Sequence, residues 1–231
     1  QSHPPRRMIG PAAVALLVAP PHADAVASAL HPAMPDDLGE LLAVVDQTSS
    51  WYTMSLIGLL ASGLLVGLSV VLGRLVRRGS PILGTIGLVV TFAGGILMAS
   101  MQGFKLFLPT LARLAPADGA AAIDAFTAGG SFAPIIGGFV LRAAGLVLLA
   151  IAATRSGVVR WPVSFLVAAG AVLAFQLPAG PDAVGWLLVA AGTACIARSA
   201  WGTSSVGRSG VTVDPDRHHG ELDRIASTEV A

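Results

Sequence analysis

Two stretches of this chain, Trp51 to Gly73 and Ile82 to Phe104, hold no charged residue, and between them sit Arg74, Arg77 and Arg78. A helix crossing a hydrocarbon core of about 30 Å needs roughly 20 consecutive apolar residues. Each stretch therefore reads as a membrane span, and the arginines mark the turn that joins them. Composition agrees: of 231 residues 54% are hydrophobic and 12% charged, about half the charge of a soluble domain. The fold class expected is all-α, a polytopic transmembrane helical bundle.

Further spans follow from the same rule. Pro134 to Ala153 is apolar except for Arg142 and ends at Thr154-Arg155. The apolar region from Trp161 to Ala200 is too long for one crossing and is broken by Leu177-Pro178-Ala179-Gly180-Pro181-Asp182, a strong turn signal. It divides into spans at 162–177 and 183–199. The N-terminal segment admits two fates. Arg6-Arg7, a short apolar run and Ala23-Asp24-Ala25 have the parts of a cleaved secretory signal. Alternatively, a helix bent at Pro20-Pro21 continues to Leu30 with Asp24 near the surface, and the length rule favours this retained span, 8–30. The chain opens on Gln1, which leaves Met8 as an alternative start. The expected organisation is a cytoplasmic N-terminus over 1–7, six spans within 8–200 (8–30, 51–73, 82–104, 134–153, 162–177 and 183–199), and a polar, disordered cytoplasmic tail over 201–231.

Charge is sorted by loop. With Arg6 and Arg7 inside, alternate connections place Arg74, Arg77, Arg78, Arg155, Arg160, Arg198, Arg208, Arg217 and Arg224 on the same side, while only Lys105 and Arg113 fall opposite. The connection from Pro21 to Ser50 has no basic residue but carries Asp24, Asp36, Asp37, Glu40 and Asp46. By the positive-inside rule both termini are cytoplasmic. Two short amphipathic helices are expected on the outer side. One lies in Pro35 to Ser50, with Leu38, Leu41, Leu42 and Val45 on one face and acids in its first turns; the other lies in Pro116 to Phe126, with Ile123 and Phe126 on one side.

Arg142 is the residue that demands a partner, because a charge near the bilayer midplane costs about 2.5 to 3.5 kcal/mol on insertion scales. No acid lies at equivalent depth in the spans as drawn, so the expected compensation is Thr91, Ser100, Gln102, Gln176, free carbonyls near Gly137-Gly138, water, an anionic ligand or a partner subunit. Gly63 and Gly67 form a G-x-x-x-G for close helix packing, and Gly170 with Ala174 repeats the theme. Trp51-Tyr52, Trp161 and Trp201 stand at span ends as headgroup anchors, with Trp186 also near an end.

No cofactor or metal site is expected. Cys195 is the only cysteine, and His3, His22, His31, His218 and His219 lie outside the apolar runs as drawn, leaving no facing pair for a haem. There is no G-x-S-x-G, H-E-x-x-H, P-loop or C-x-x-C. Nothing points to an enzyme or to nucleic acid.

Ile9-Gly10-Pro11, Leu30-His31-Pro32, the acidic helix leading to Trp51-Tyr52, Arg155-Ser156-Gly157 and Arg160-Trp161 together resemble uncharacterised actinobacterial multi-pass membrane proteins. That resemblance implies a six-span bundle in a bacterial plasma membrane and no particular activity. The size and Ala15-x-x-x-Ala19 are similar to substrate-capturing subunits of energy-coupling-factor transporters. The function expected is a non-enzymatic membrane component that associates with lipid or another membrane subunit. The alternative is a small-solute transporter or substrate-binding subunit using Arg142 for an anionic ligand.

Overall fold

The computed structural model describes residues 9–33, 35, 37–113, 116–131 and 133–202; the 203–231 part of the expected tail and the 1–7 segment lie outside them. Among the described residues there are eight α-helices and no strand: α1 (Pro11–Ala29), α2 (Leu38–Gln47), α3 (Trp51–Val76), α4 (Pro81–Ala112), α5 (Pro116–Phe126), α6 (Ala133–Arg155), α7 (Trp161–Gln176) and α8 (Ala183–Gly202), with a π-turn over Thr127–Ser131 before α6. Helices α1, α3, α4, α6 and α8 are long and apolar enough to cross a membrane, and α7 is a shorter apolar helix. The protein is an all-α, multi-pass helical bundle of about six spans.

The six apolar helices form a closed ring in the order α1, α3, α4, α6, α7, α8, each packed on two neighbours. Large apolar side chains face outward around this ring, among them Leu56, Leu60, Ile82, Ile86, Val140, Ile151, Phe165 and Leu187. An exposed apolar surface of that extent is a liability in water and the expected rim in lipid. One end of the ring carries the α3–α4 turn, with Arg77 and Arg78, and the α6–α7 turn. The two turns meet where Gly79 lies against Ser156. Inside the ring, this basic half is filled by Leu17, Leu65, Leu68, Leu72, Leu146, Leu149, Val167, Val189 and Ile196.

Helix α4 and helix α6 cross most closely. A Cβ at Gly94 would strike the backbone of Arg142, and one at Gly145 the backbone of Thr91; Gly87 lies against Leu149 and Gly138 against Leu97. On α4 the positions 87, 91 and 94, and on α6 the positions 138, 142 and 145, recur at steps of four and three. Small residues at that spacing let two helices follow one another at short range. Helices α7 and α8 approach in the same manner, through Gly170 against Gly185 and Gly192 against Val167. Of the expected Gly63–Gly67 seam, Gly67 meets Leu16 of α1, while Gly63 is exposed and has no neighbour within 4 Å.

Helix α4 does not end at Lys105. It runs two turns further, through Pro109, and Lys105 is buried inside the bundle rather than closing a span at its surface. Proline has no N–H, so the carbonyl four residues earlier, that of Lys105, lacks its helical donor. Trp51 supplies one: its indole Nε1 donates to the Lys105 carbonyl at 2.8 Å. Trp51 is thus buried, 1% exposed, and is no headgroup anchor, in contrast to Trp161, which is 69% exposed. Trp51→Phe is expected to lower stability by about 1–3 kcal/mol by orphaning a buried acceptor. Adding Pro109→Ala, which restores an N–H to that turn, should recover most of the loss in thermal melts in detergent. No recovery would mean that the indole acts through packing alone.

The two amphipathic helices form where expected. Asp37 caps α2 by accepting the Glu40 N–H at 2.9 Å. The apolar face of α2 docks on protein: Leu42 and Val45 join Trp51, Met54, Leu108, Leu111 and Ile123 in a second core over the projecting end of α4. Phe126 stacks on Phe104 at 4.6 Å. This cap lies at the end of the ring opposite the arginine-bearing turns.

Candidate functional site

Between the apolar half of the ring and the capped end lies a cavity of about 330 Å³ to which all six ring helices contribute: Asp24 and Ser28 from α1, Met54 from α3, Met98, Met101, Gln102 and Lys105 from α4, Phe139 and Arg142 from α6, Phe175 from α7 and Trp186 from α8. His31 and Asp182 complete its wall from the connections that follow α1 and α7.

Arg142 is 3% exposed and is paired with Asp24 through its Nη2. An acid at matching depth therefore exists, against the expectation from sequence, and helix direction explains why. Side chains lean toward the N-terminus of their helix. Helix α1 begins at the basic end, so Asp24 leans inward from the capped end. Helix α6 begins at the capped end, so Arg142 leans out to meet it. The two helices stand opposite each other in the ring, and the ion pair spans its interior. The guanidinium also lies over the Trp186 ring, 3.9 Å from its centre, a stacked cation–π contact. Its Nε has no hydrogen-bond partner.

The other expected partners of Arg142 are engaged elsewhere or distant. Thr91 Oγ1 donates to the Gly87 carbonyl at 2.7 Å and Ser100 Oγ to the Ile96 carbonyl at 3.2 Å, each within its own helix, as hydroxyls in apolar helices commonly do. Gln102 does line the cavity, with its amide against Gly58. Gln176 is exposed on α7 and does not.

Nearer the capped end, Lys105 Nζ lies 2.8 Å from His31 Nε2, and His31 Nδ1 lies 2.9 Å from the Pro32 carbonyl. A carbonyl only accepts, so Nδ1 carries the proton, and Nε2 accepts from the lysine ammonium. His31 is therefore neutral. Burial, with the Lys105 charge adding to it, holds its pKa down at about 4. Its ring also meets Trp51 edge-on at 5.9 Å. Asp182, on the connection that leads into α8, accepts from Ser28 Oγ through Oδ2 at 3.0 Å, and its Oδ1 has no partner. Burial shifts the Asp182 pKa upward, against the pull of the Ser28 hydroxyl, the Gly180 and Ala183 backbone N–H groups and the Lys105 charge. Among the described residues Lys105 and Asp182 form no ion pair.

In the unfolded chain His31 takes up a proton as pH falls through about 6.5, but in the folded chain only near 4. Stability contributed by neutral His31 is thus intact above pH 6.5 and is lost progressively down to about 4. Asp182 acts in the opposite sense in the same protein. His31→Gln is therefore expected to melt with a shallower loss between about pH 7 and about pH 4.5 than the parent, and an equal loss in both would remove His31 from the account.

Sequence inspection missed Asp24, His31, Lys105, Asp182 and Trp186 as members of one site. A usable signal was present for Arg142, which sits between Gly138 and Gly145 on the packing stripe of α6. His22, expected outside the apolar runs, lies within α1 on its exposed side, with Nδ1 at 2.7 Å from the Val18 carbonyl. No family model matches the chain, and no curated protein or solved structure matches it.

Proposed function

We propose that this protein is a small-solute-binding membrane subunit or carrier in a bacterial plasma membrane, with both termini cytoplasmic and the cavity facing outward. The observation that carries this reading is the cavity itself: about 330 Å³ bounded by charged and thioether side chains in the centre of the ring. That volume lies at the small end of ligand pockets, about 300–1,000 Å³. Ionisable groups in the interior of a membrane bundle are costly and by default mark a functional site, substrate and ion paths among them. The outward orientation rests on the eleven basic residues sorted to the opposite side.

The alternative, a component that binds a partner or lipid through small-residue faces, has less to draw on. Gly67, Gly94, Gly145, Gly170 and Gly185 are spent on contacts within the chain, and Arg142 is turned inward. Native mass spectrometry of protein extracted mildly from its own membrane tests the choice. A small-molecule adduct that disappears when the cavity is filled by Ala27→Trp supports solute binding. A co-purifying subunit or lipid without such an adduct favours the alternative.

A further inference from the structure

The cavity walls carry two cations, Lys105 and Arg142, and two acids, Asp24 and Asp182, while His31 is neutral. Their formal charges cancel. A net-neutral, partly desolvated cavity disfavours a ligand with net charge, because nothing in the wall repays the hydration that ligand gives up. It does not disfavour a dipolar one. The pairing inside the cavity is also uneven. Arg142 is consumed by Asp24, whereas Lys105 and Asp182 stand on different walls, each held by a neutral neighbour, His31 and Ser28, with no ion pair between them. The anionic ligand suggested by Arg142 alone therefore has no free arginine charge to meet.

We propose that the cavity binds a small zwitterion of the α-amino-acid class, its carboxylate directed to Lys105 on α4 and its ammonium to Asp182 at the start of α8. The proposal deepens the solute-binding reading and rests on it. The rest of the wall suits an apolar side chain, since Met54, Met98 and Met101 offer flexible, polarisable thioethers that adapt to different shapes. Gln102, between the thioethers and Lys105 on α4, offers both a donor and an acceptor to the ligand's polar end. Lys105 and Asp182 then recognise what all amino acids share, and the methionines tolerate what differs.

The test uses the full chain in lipid nanodiscs, with titration calorimetry against the twenty free amino acids and then against analogues of a binder. For L-leucine these are 4-methylpentanoate, which keeps only the carboxylate, and 3-methylbutan-1-amine, which keeps only the amine. The expected result is saturable binding of at least one apolar amino acid, weakened roughly tenfold or more in each analogue, since each loses one charged hydrogen-bonded contact. Asp182→Asn, which preserves shape and the Ser28 contact, should weaken the amino acid by a similar factor and leave the carboxylate analogue unaffected. Equal binding of either analogue, or an Asp182→Asn variant that binds leucine normally, overturns the proposal. Absence of any amino-acid binding also overturns it. In that case a small-molecule adduct in the native mass spectrum leaves the solute-binding reading standing, and its absence removes both.

Discussion

Asp24→Leu and Arg142→Leu made singly are each expected to destabilise the protein by about 3–5 kcal/mol, because each strands the other charge in a desolvated interior. The double variant is expected to recover most of that loss. Two leucines need no partner, and replacing a whole buried pair by apolar side chains is often neutral or stabilising. Thermal melts of the three variants in one detergent measure the coupling directly. Additive losses would show that the two residues do not act as a pair. If Arg142 merely snorkelled, its removal would leave the bundle intact, but with Asp24 facing it from across the ring the removal exposes a buried acid.

The second large effect is steric. At Gly145 an added Cβ meets the Thr91 backbone, and a backbone in the middle of a helix cannot rotate out of the way as a side chain does. Gly145→Val is expected to force α4 and α6 apart, at a cost of about 3 kcal/mol or more. It should also disturb the cavity, since the same crossing holds the Arg142 backbone against Gly94. Gly63→Val is the matched control. It makes the same change at an exposed position of an apolar helix where an added Cβ meets nothing within 4 Å, so its melting temperature should stay close to that of the parent. Size-exclusion profiles and melts of the pair distinguish a packing seam from a general intolerance of valine. Equal behaviour would relocate the seam.

Much of the architecture was legible before any coordinates. Uncharged runs bounded by arginine or proline place the helices, and for α3, α6, α7 and α8 the first residues fall within one position of those expected. Helix α5 runs over the expected Pro116–Phe126. These features are local: length, periodicity and capping are set by residues within a few turns. Helix α4 departs because a lysine that closes an uncharged run reads as a boundary, although a buried lysine is compatible with helix when histidine accepts from it and tryptophan serves the carbonyl that Pro109 orphans.

From the order of residues alone come the membrane class, the number of apolar helices and the sorting of charge to one end. Only the closed ring decided that α1 stands across from α6, so that Asp24 neutralises Arg142, Trp186 lies beneath it, and Lys105 and Asp182 are left facing a common space. Pairings between segments more than a hundred residues apart depend on how helices close on one another. That is a long-range packing outcome, and no window of sequence contains it.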